Sequence, residues 1–159
     1  MIKKDIDFIS WDRRYSLGVH IIYDQHKELL RLTNTLYRAC RQKQEFSRKC
    51  FRDAMQNAVK YIKVHFSTEE KIMEKINYPD MTKHKSEHQE FVKKVLAEAA
   101  NFDEGQTFVP NRFVYFLKDW VLGHIAMTDK RMVEYIFDMK KKGRLGSFLE
   151  ANQNEQNEY

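Results

Sequence analysis

The chain has 159 residues, 42% hydrophobic and 32% charged, with a formal net charge of +5, which suits one globular domain around one core. Five glycines and two prolines are too few for the turns of a many-stranded β fold and favour long helices. No stretch approaches the roughly 20 apolar residues of a membrane span, the charged segment Met1 to Arg14 is not expected to be a signal peptide, and two cysteines, Cys40 and Cys50, make no disulfide framework, so a cytoplasmic, reducing location is the expectation.

Residues 1–17 form an N-terminal arm without sustained periodicity. The first helix is predicted from about Val19 to Gln42, because Val19, Ile22, His26, Leu29, Thr33, Leu36 and Cys40 recur at steps of three and four. The second is predicted from about Ser47 to Asn77, with Phe51, Met55, Ala58, Ile62, His65, Glu69, Met73 and Ile76 on its inner stripe. Tyr78-Pro79-Asp80 ends it, since proline disfavours helix in the residue before it. A third runs from about Thr82 to Phe102, facing in through His84, His88, Phe91, Val95 and Phe102. A fourth runs from Pro110 to Lys141, with Phe113, Leu117, Trp120, His124 and Thr128 inward. Lys140, Lys141, Lys142 and Arg144 read as a solvated helix end rather than a nucleic-acid or membrane patch.

Residues 143–159 are expected to form a short C-terminal extension, with a last turn over Ser147 to Ala151 and a disordered polar tail from Asn152. Short connections make consecutive helices antiparallel. The expected fold is therefore all-α: an antiparallel up-down-up-down four-helix bundle over residues 18–142, with no second domain.

Five of the six histidines (His26, His65, His84, His88 and His124) fall on inward stripes, and so does Glu69. One histidine in a core is usually a hydrogen-bonded core residue. Five of them on four converging helices, beside an inward carboxylate, would each need a separate buried partner, whereas a shared metal satisfies all at once. The pairs His65/Glu69 and His84/His88 are four residues apart, within about 40° on one helix face. His124 and Asp129 are five apart, about 140° around an ideal helix. Either Asp129 flanks the site from another side or the helix widens into a π-type turn. His20 lies off the stripe and is expected to be exposed or to stand behind the site.

The strings Asp24-Gln25-His26-Lys27, His65-Phe66-Ser67-Thr68-Glu69-Glu70, His84-Lys85-Ser86-Glu87-His88 and His124-Ile125-Ala126-Met127-Thr128-Asp129, in this order over roughly Trp11 to Lys140, resemble those of the hemerythrins, in particular the single-domain bacterial ones. The resemblance implies a non-haem di-iron centre. His84, His88 and His124 would hold one iron and His26 and His65 the other. Glu69, Asp129 and a solvent-derived oxo or hydroxo group would bridge them. It further implies a dioxygen pocket walled by Phe66, Trp120, Val121 and Ile125. Each of these four has plain bundle core as its other reading. Val121 departs from the leucine common in the family near that pocket. Glu70 and Glu87 are candidate partners for ligand ring N–H groups.

The implied function is reversible dioxygen binding as a carrier, store or scavenger, with dioxygen as the partner and no nucleic acid or membrane insertion expected. Five imidazoles and two carboxylates make a less anionic site than the four-carboxylate, two-histidine di-iron pattern, and fewer anions favour the ferrous state. The alternatives are a dioxygen or redox sensor or adaptor, a di-iron enzyme acting on peroxide, nitric oxide or ferrous iron, and a bundle binding zinc or nothing. Against an enzyme, no further acid–base or nucleophile constellation is visible. Against zinc, four ligands would suffice.

Overall fold

The computed structural model describes residues 7–41, 48–103 and 110–145. The helices are α1 (His20–Arg41), α2 (Arg48–Lys75), α3 (Met81–Asp103), α4 (Pro110–His124) and α5 (Lys130–Lys141), with a π-helical turn, Ile125–Asp129, joining the last two into one rod. The four rods form the antiparallel up-down-up-down bundle that the periodicity predicts, with no strand among the described residues. Pairings along the rods fix the directions. Phe51, early in α2, meets Phe102, late in α3, while Phe66 meets Phe91. His26 of α1 meets Asp129 after α4.

Helix ends follow local chemistry. α2 stops two residues short of the expected Asn77, because Asn77 takes a left-handed conformation (φ 51°). The Tyr78 N–H then closes back onto the Met73 carbonyl at 2.9 Å, a Schellman-type cap. α5 ends the same way, with Gly143 at φ 65° and the Arg144 N–H donating to the Met139 carbonyl at 3.0 Å. Glycine reaches that conformation without Cβ strain.

The arm carries no periodicity, yet it is docked. The Ile9 N–H donates to Asn34 Oδ1 and Asn34 Nδ2 donates to the Ile9 carbonyl, both at 2.8 Å. Phe8 stacks on Tyr37 at 3.9 Å, and Ile9 and Tyr15 are buried. The turn expected over Ser147 to Ala151 and the polar tail from Asn152 lie outside the described residues.

The apolar interior is in two parts. The larger cluster includes Leu29, Leu36, Phe51, Met55, Ile62, Phe66, Phe91, Leu117, Val121 and Ile125. The smaller one includes Val19, Ile22, Ile72, Met73, Ile76, Tyr78, Met132 and Ile136. On every rod the break between them falls at a buried polar residue: His26, His65 with Glu69, His84 with His88, and Thr128 with Asp129. A polar layer thus crosses a bundle that is apolar on both sides of it.

Candidate metal centre

All seven candidate ligands meet in that layer, and all are buried: His26, Glu69 and Asp129 fully, His65, His84, His88 and His124 within 6% of it. They form two overlapping groups. Glu69, His84, His88, His124 and Asp129 make one, and His26, His65, Glu69 and Asp129 the other. Within each group every ligand atom lies within 4.8 Å of the rest. Glu69 and Asp129 belong to both.

Asp129 joins through the π turn. Widening the helix returns the fifth residue over the first, and His124 Nε2 stands 3.0 Å from Asp129 Oδ1. The other Asp129 oxygen lies 3.1 Å from His26 Nε2, and its Oδ1 also lies 3.3 Å from His84 Nε2. Glu69 stands 3.2 Å from His88 Nε2, 3.5 Å from His84 Nε2 and 3.6 Å from His65 Nε2.

Two observations test whether these residues fit metal ions. First, Glu69 Oε1, Glu69 Oε2 and Asp129 Oδ1 are buried without a hydrogen-bond partner. Unpartnered buried carboxylate oxygens are very costly unless a cation meets them. Second, the Nε2 atoms of His88 and His124 are 3.0 Å apart, and those of His124 and His84 3.2 Å. The Nδ1 atoms of His88 and His124 face Glu70 at 3.2 Å and Glu87 at 3.4 Å. Nδ1 is therefore the protonated nitrogen, and the Nε2 lone pairs point at one another. Lone pairs brought this close with no proton between them repel unless a shared cation meets them. The donor set fits.

Electrostatics agree. Burial and the Asp129 charge push the Glu69 carboxyl up to about 8. Burial works against Asp129 too, but its close contacts with the imidazoles of His124, His26 and His84 hold it well below its ordinary value. Burial pushes His65 down to about 3 and lowers His88. At His84 burial is outweighed by the adjacent carboxylates of Asp129 and Glu69, 3.3 and 3.5 Å away, which raise it to about 9. Two carboxylates this close cannot both ionise cheaply without positive charge between them.

Around the ligands, Phe66 stacks on His88 at 3.7 Å and Trp120 on His124 at 4.3 Å. Val121 and Ile125 are buried in the adjoining apolar cluster. Trp120 is half-buried rather than fully inward. His20 sits at the surface beside Asp24, 70% exposed, and takes no part.

Sequence reasoning did not assign the residues that hold the rings. Glu70 serves His88, Glu87 serves His124 and also accepts from Thr128 at 2.8 Å, and Gln25 serves His65 at 3.0 Å. Each stands next to a ligand in sequence, which was the available signal. Neighbouring helix positions point about 100° apart, so each reaches a ligand on an adjacent rod rather than its own neighbour.

A helical bundle with overlapping imidazole and carboxylate clusters in its core is the frame of a metal-binding protein. Residues 17–136 match the Hemerythrin HHE cation binding domain, and the chain belongs to the hemerythrin family. It is 31% identical to a bacteriohemerythrin of Methylococcus capsulatus over 73% of this chain and 86% of that one. It is 26% identical to a bacteriohemerythrin of Stenotrophomonas maltophilia over 91% and 89%, and 27% identical to a hemerythrin-like protein of Naegleria gruberi over 77% and 88%. Among solved structures, wild-type hemerythrin aligns with a TM-score of 0.72 at 27% identity, covering 77% of this chain and 93% of that one. A leucine-to-alanine mutant of hemerythrin aligns at 0.74 and 26%, covering 79% and 94%. The family domain implies non-haem iron, and its common role is oxygen binding rather than catalysis. The chain is a metal-binding, oxygen-related protein. No helix among the described residues is long and apolar enough to cross a membrane.

Proposed function

We propose that this protein binds dioxygen reversibly at a pair of non-haem irons, as a carrier, store or scavenger. His84, His88 and His124 would hold one ion and His26 and His65 the other, with Glu69 and Asp129 spanning both. The observation that carries this reading is the overlap of two donor groups through the same two carboxylates, which have buried oxygens in need of cations. Bound there, an iron pair would supply two electrons to dioxygen and recover them on release.

The chain's own residues supply the conditions for reversal. Glu70, Glu87 and Gln25 hold ring protons on Nδ1 and so turn Nε2 of His88, His124 and His65 inward. Phe66 and Trp120 stack on His88 and His124 and, with Val121 and Ile125 in the adjoining apolar cluster, would form the pocket wall that limits water, which would otherwise make electron transfer irreversible. Five imidazoles against two carboxylates keep the site weakly anionic, which favours the ferrous state. Both cysteines are thiols, which fits a proposed setting in the reducing cytoplasm.

The test is anaerobic reconstitution with ferrous iron, metal analysis, and spectra on exposure to air and then on removal of dioxygen. Two irons per chain and bands that come and go with dioxygen are expected. One iron or none refutes the proposal, and multiple-turnover consumption of peroxide or nitric oxide replaces carriage with catalysis.

A further inference from the structure

Gln25 precedes one proposed ligand in sequence but serves another in space. Its Oε1 lies 3.0 Å from His65 Nδ1, and its Nε2 donates to Thr68 Oγ1 at 3.0 Å. The Thr68 hydroxyl donates its own proton to the Val64 carbonyl at 3.0 Å, so its oxygen is left to accept. That settles the amide. The end facing Thr68 is the NH2 group and the end facing His65 is the carbonyl oxygen. A carbonyl only accepts, so His65 carries its proton on Nδ1 and presents the Nε2 lone pair toward Glu69, 3.6 Å away. A backbone carbonyl on α2 thus orients, through two side chains, a ring on the same helix one residue away.

The partners of the other rings differ in charge. His88 and His124 face the carboxylates of Glu70 and Glu87. His65 faces a neutral amide, and His26 Nδ1 has no hydrogen-bond partner. A carboxylate accepting the Nδ1 proton makes an imidazole a stronger donor to a metal, and a neutral amide does so less. The three-histidine position therefore has two carboxylate-backed rings and the two-histidine position none.

We propose that Gln25 is a positioning residue that locks His65 in its Nδ1–H tautomer and keeps the His26/His65 position the weaker donor set of the two. This rests on the di-iron reading above. A ferrous ion held there is the harder of the pair to oxidise. The wasteful reaction it resists is a one-electron loss in which Fe(II) becomes Fe(III) and dioxygen leaves as superoxide.

Gln25→Glu keeps the shape and supplies a carboxylate, toward which Thr68 can turn its hydroxyl. Glu70→Gln is the reverse exchange at the other position. Iron content is measured first. The potential of the iron pair and the rate of its conversion to the ferric state in air are measured next. In Gln25→Glu the oxidation equilibrium shifts toward ferric, by about tenfold if the carboxylate alters metal binding by the same order that outer-shell partners of ligating histidines do. That is about 59 mV downward for a one-electron couple, with faster oxidation in air. Glu70→Gln shifts the potential upward. In the metal-free protein, nitrogen NMR reads the His65 tautomer directly: Nδ1–H in the unsubstituted chain, and a mixture in Thr68→Val, where the amide can flip. With iron content unchanged, an unmoved or raised potential in Gln25→Glu overturns the proposal, and so does an Nε2–H tautomer in the unsubstituted chain. Fewer than two irons in the unsubstituted protein would instead defeat the di-iron reading, and the NMR result would still decide the tautomer.

Discussion

Replacing Glu69 by glutamine is expected to stabilise the metal-free protein while removing its ability to hold a metal pair. Glu69 is fully buried, and neither carboxylate oxygen has a hydrogen-bond partner. Burial and the Asp129 charge raise it from 4.5 to about 8, so at pH 7 the metal-free fold must hold a proton that the unfolded chain has released. The folded value lies above the unfolded one. The contribution is therefore whole below pH 4.5 and is lost as pH rises toward 8. At pH 7 the gap covers about 2.5 units of proton release, and at about 1.4 kcal/mol per unit the loss is about 3 kcal/mol. Glutamine mimics the protonated carboxyl and escapes it. In urea denaturation with a chelator present, Glu69→Gln should exceed the unsubstituted chain by about 3 kcal/mol at pH 7, with no difference near pH 4.5. Iron should reverse the order, since a ligand at about 1,000 times its Kd adds about 4 kcal/mol to the chain that can bind it. A metal-free Glu69→Gln less stable than its parent at pH 7, or a difference independent of pH, would mean that the carboxylate is already satisfied and that the burial argument is wrong.

Three further outcomes follow from the same geometry. Asn34→Ala leaves the buried N–H and carbonyl of Ile9 unpaired; at about 1–3 kcal/mol per group the loss should appear as a lowered Tm and as protease cleavage in the arm, and an unchanged Tm would show that the clasp is idle. Val121→Leu adds a methylene at a position only 2% exposed and should cost about 1–3 kcal/mol, read as a lower urea midpoint at constant m. Metal-free stability should peak near pH 6.5: His65 and His88, held below 6.5, make it fall as pH drops below that value, while His84, raised to about 9, and Glu69 make it fall on the alkaline side. Urea midpoints at pH 5, 6.5 and 8.5 check the shape, and a monotonic profile would contradict it.

The bundle and its inward residues were legible because helix period and polarity agree. Every residue assigned to the inner stripes of α2 and α3 is buried, including the polar ones. The relation of His124 to Asp129 was less legible. A five-residue spacing allows either a flanking position or a widened turn, and only the surrounding ligands decide, because a π turn costs local regularity that tertiary contacts must offset. Helix ends were off by a residue or two where an asparagine, not a glycine, took the left-handed cap at position 77. The docking of the arm was invisible to periodicity, since it rests on one reciprocal amide pair, Asn34 with Ile9, that has no repeating pattern. Cys40, placed on the inner stripe, is only half-buried, one residue from the end of its helix.

The division of the interior explains how a fold can carry so unfavourable a layer. Five imidazoles and two carboxylates stripped of water oppose folding until cations arrive, and the Glu69 argument alone puts about 3 kcal/mol against the metal-free state at pH 7. The two apolar clusters lie on either side of that layer. Each fully buried Leu, Ile, Phe or Met side chain contributes about 1.5–3 kcal/mol, so a handful of them offsets the polar layer without metal. The bundle is expected to form without metal and to present its donors already converged, which a cooperative urea transition of the metal-free chain would show. The alternative, a chain folded only by its metal, would need the ligands themselves to hold the helices together. Here the rings are instead held from behind by Gln25, Glu70 and Glu87, on rods already packed above and below them. A site held this way keeps its donors converged before any metal arrives, which is the condition that the proposed reversible dioxygen binding would require.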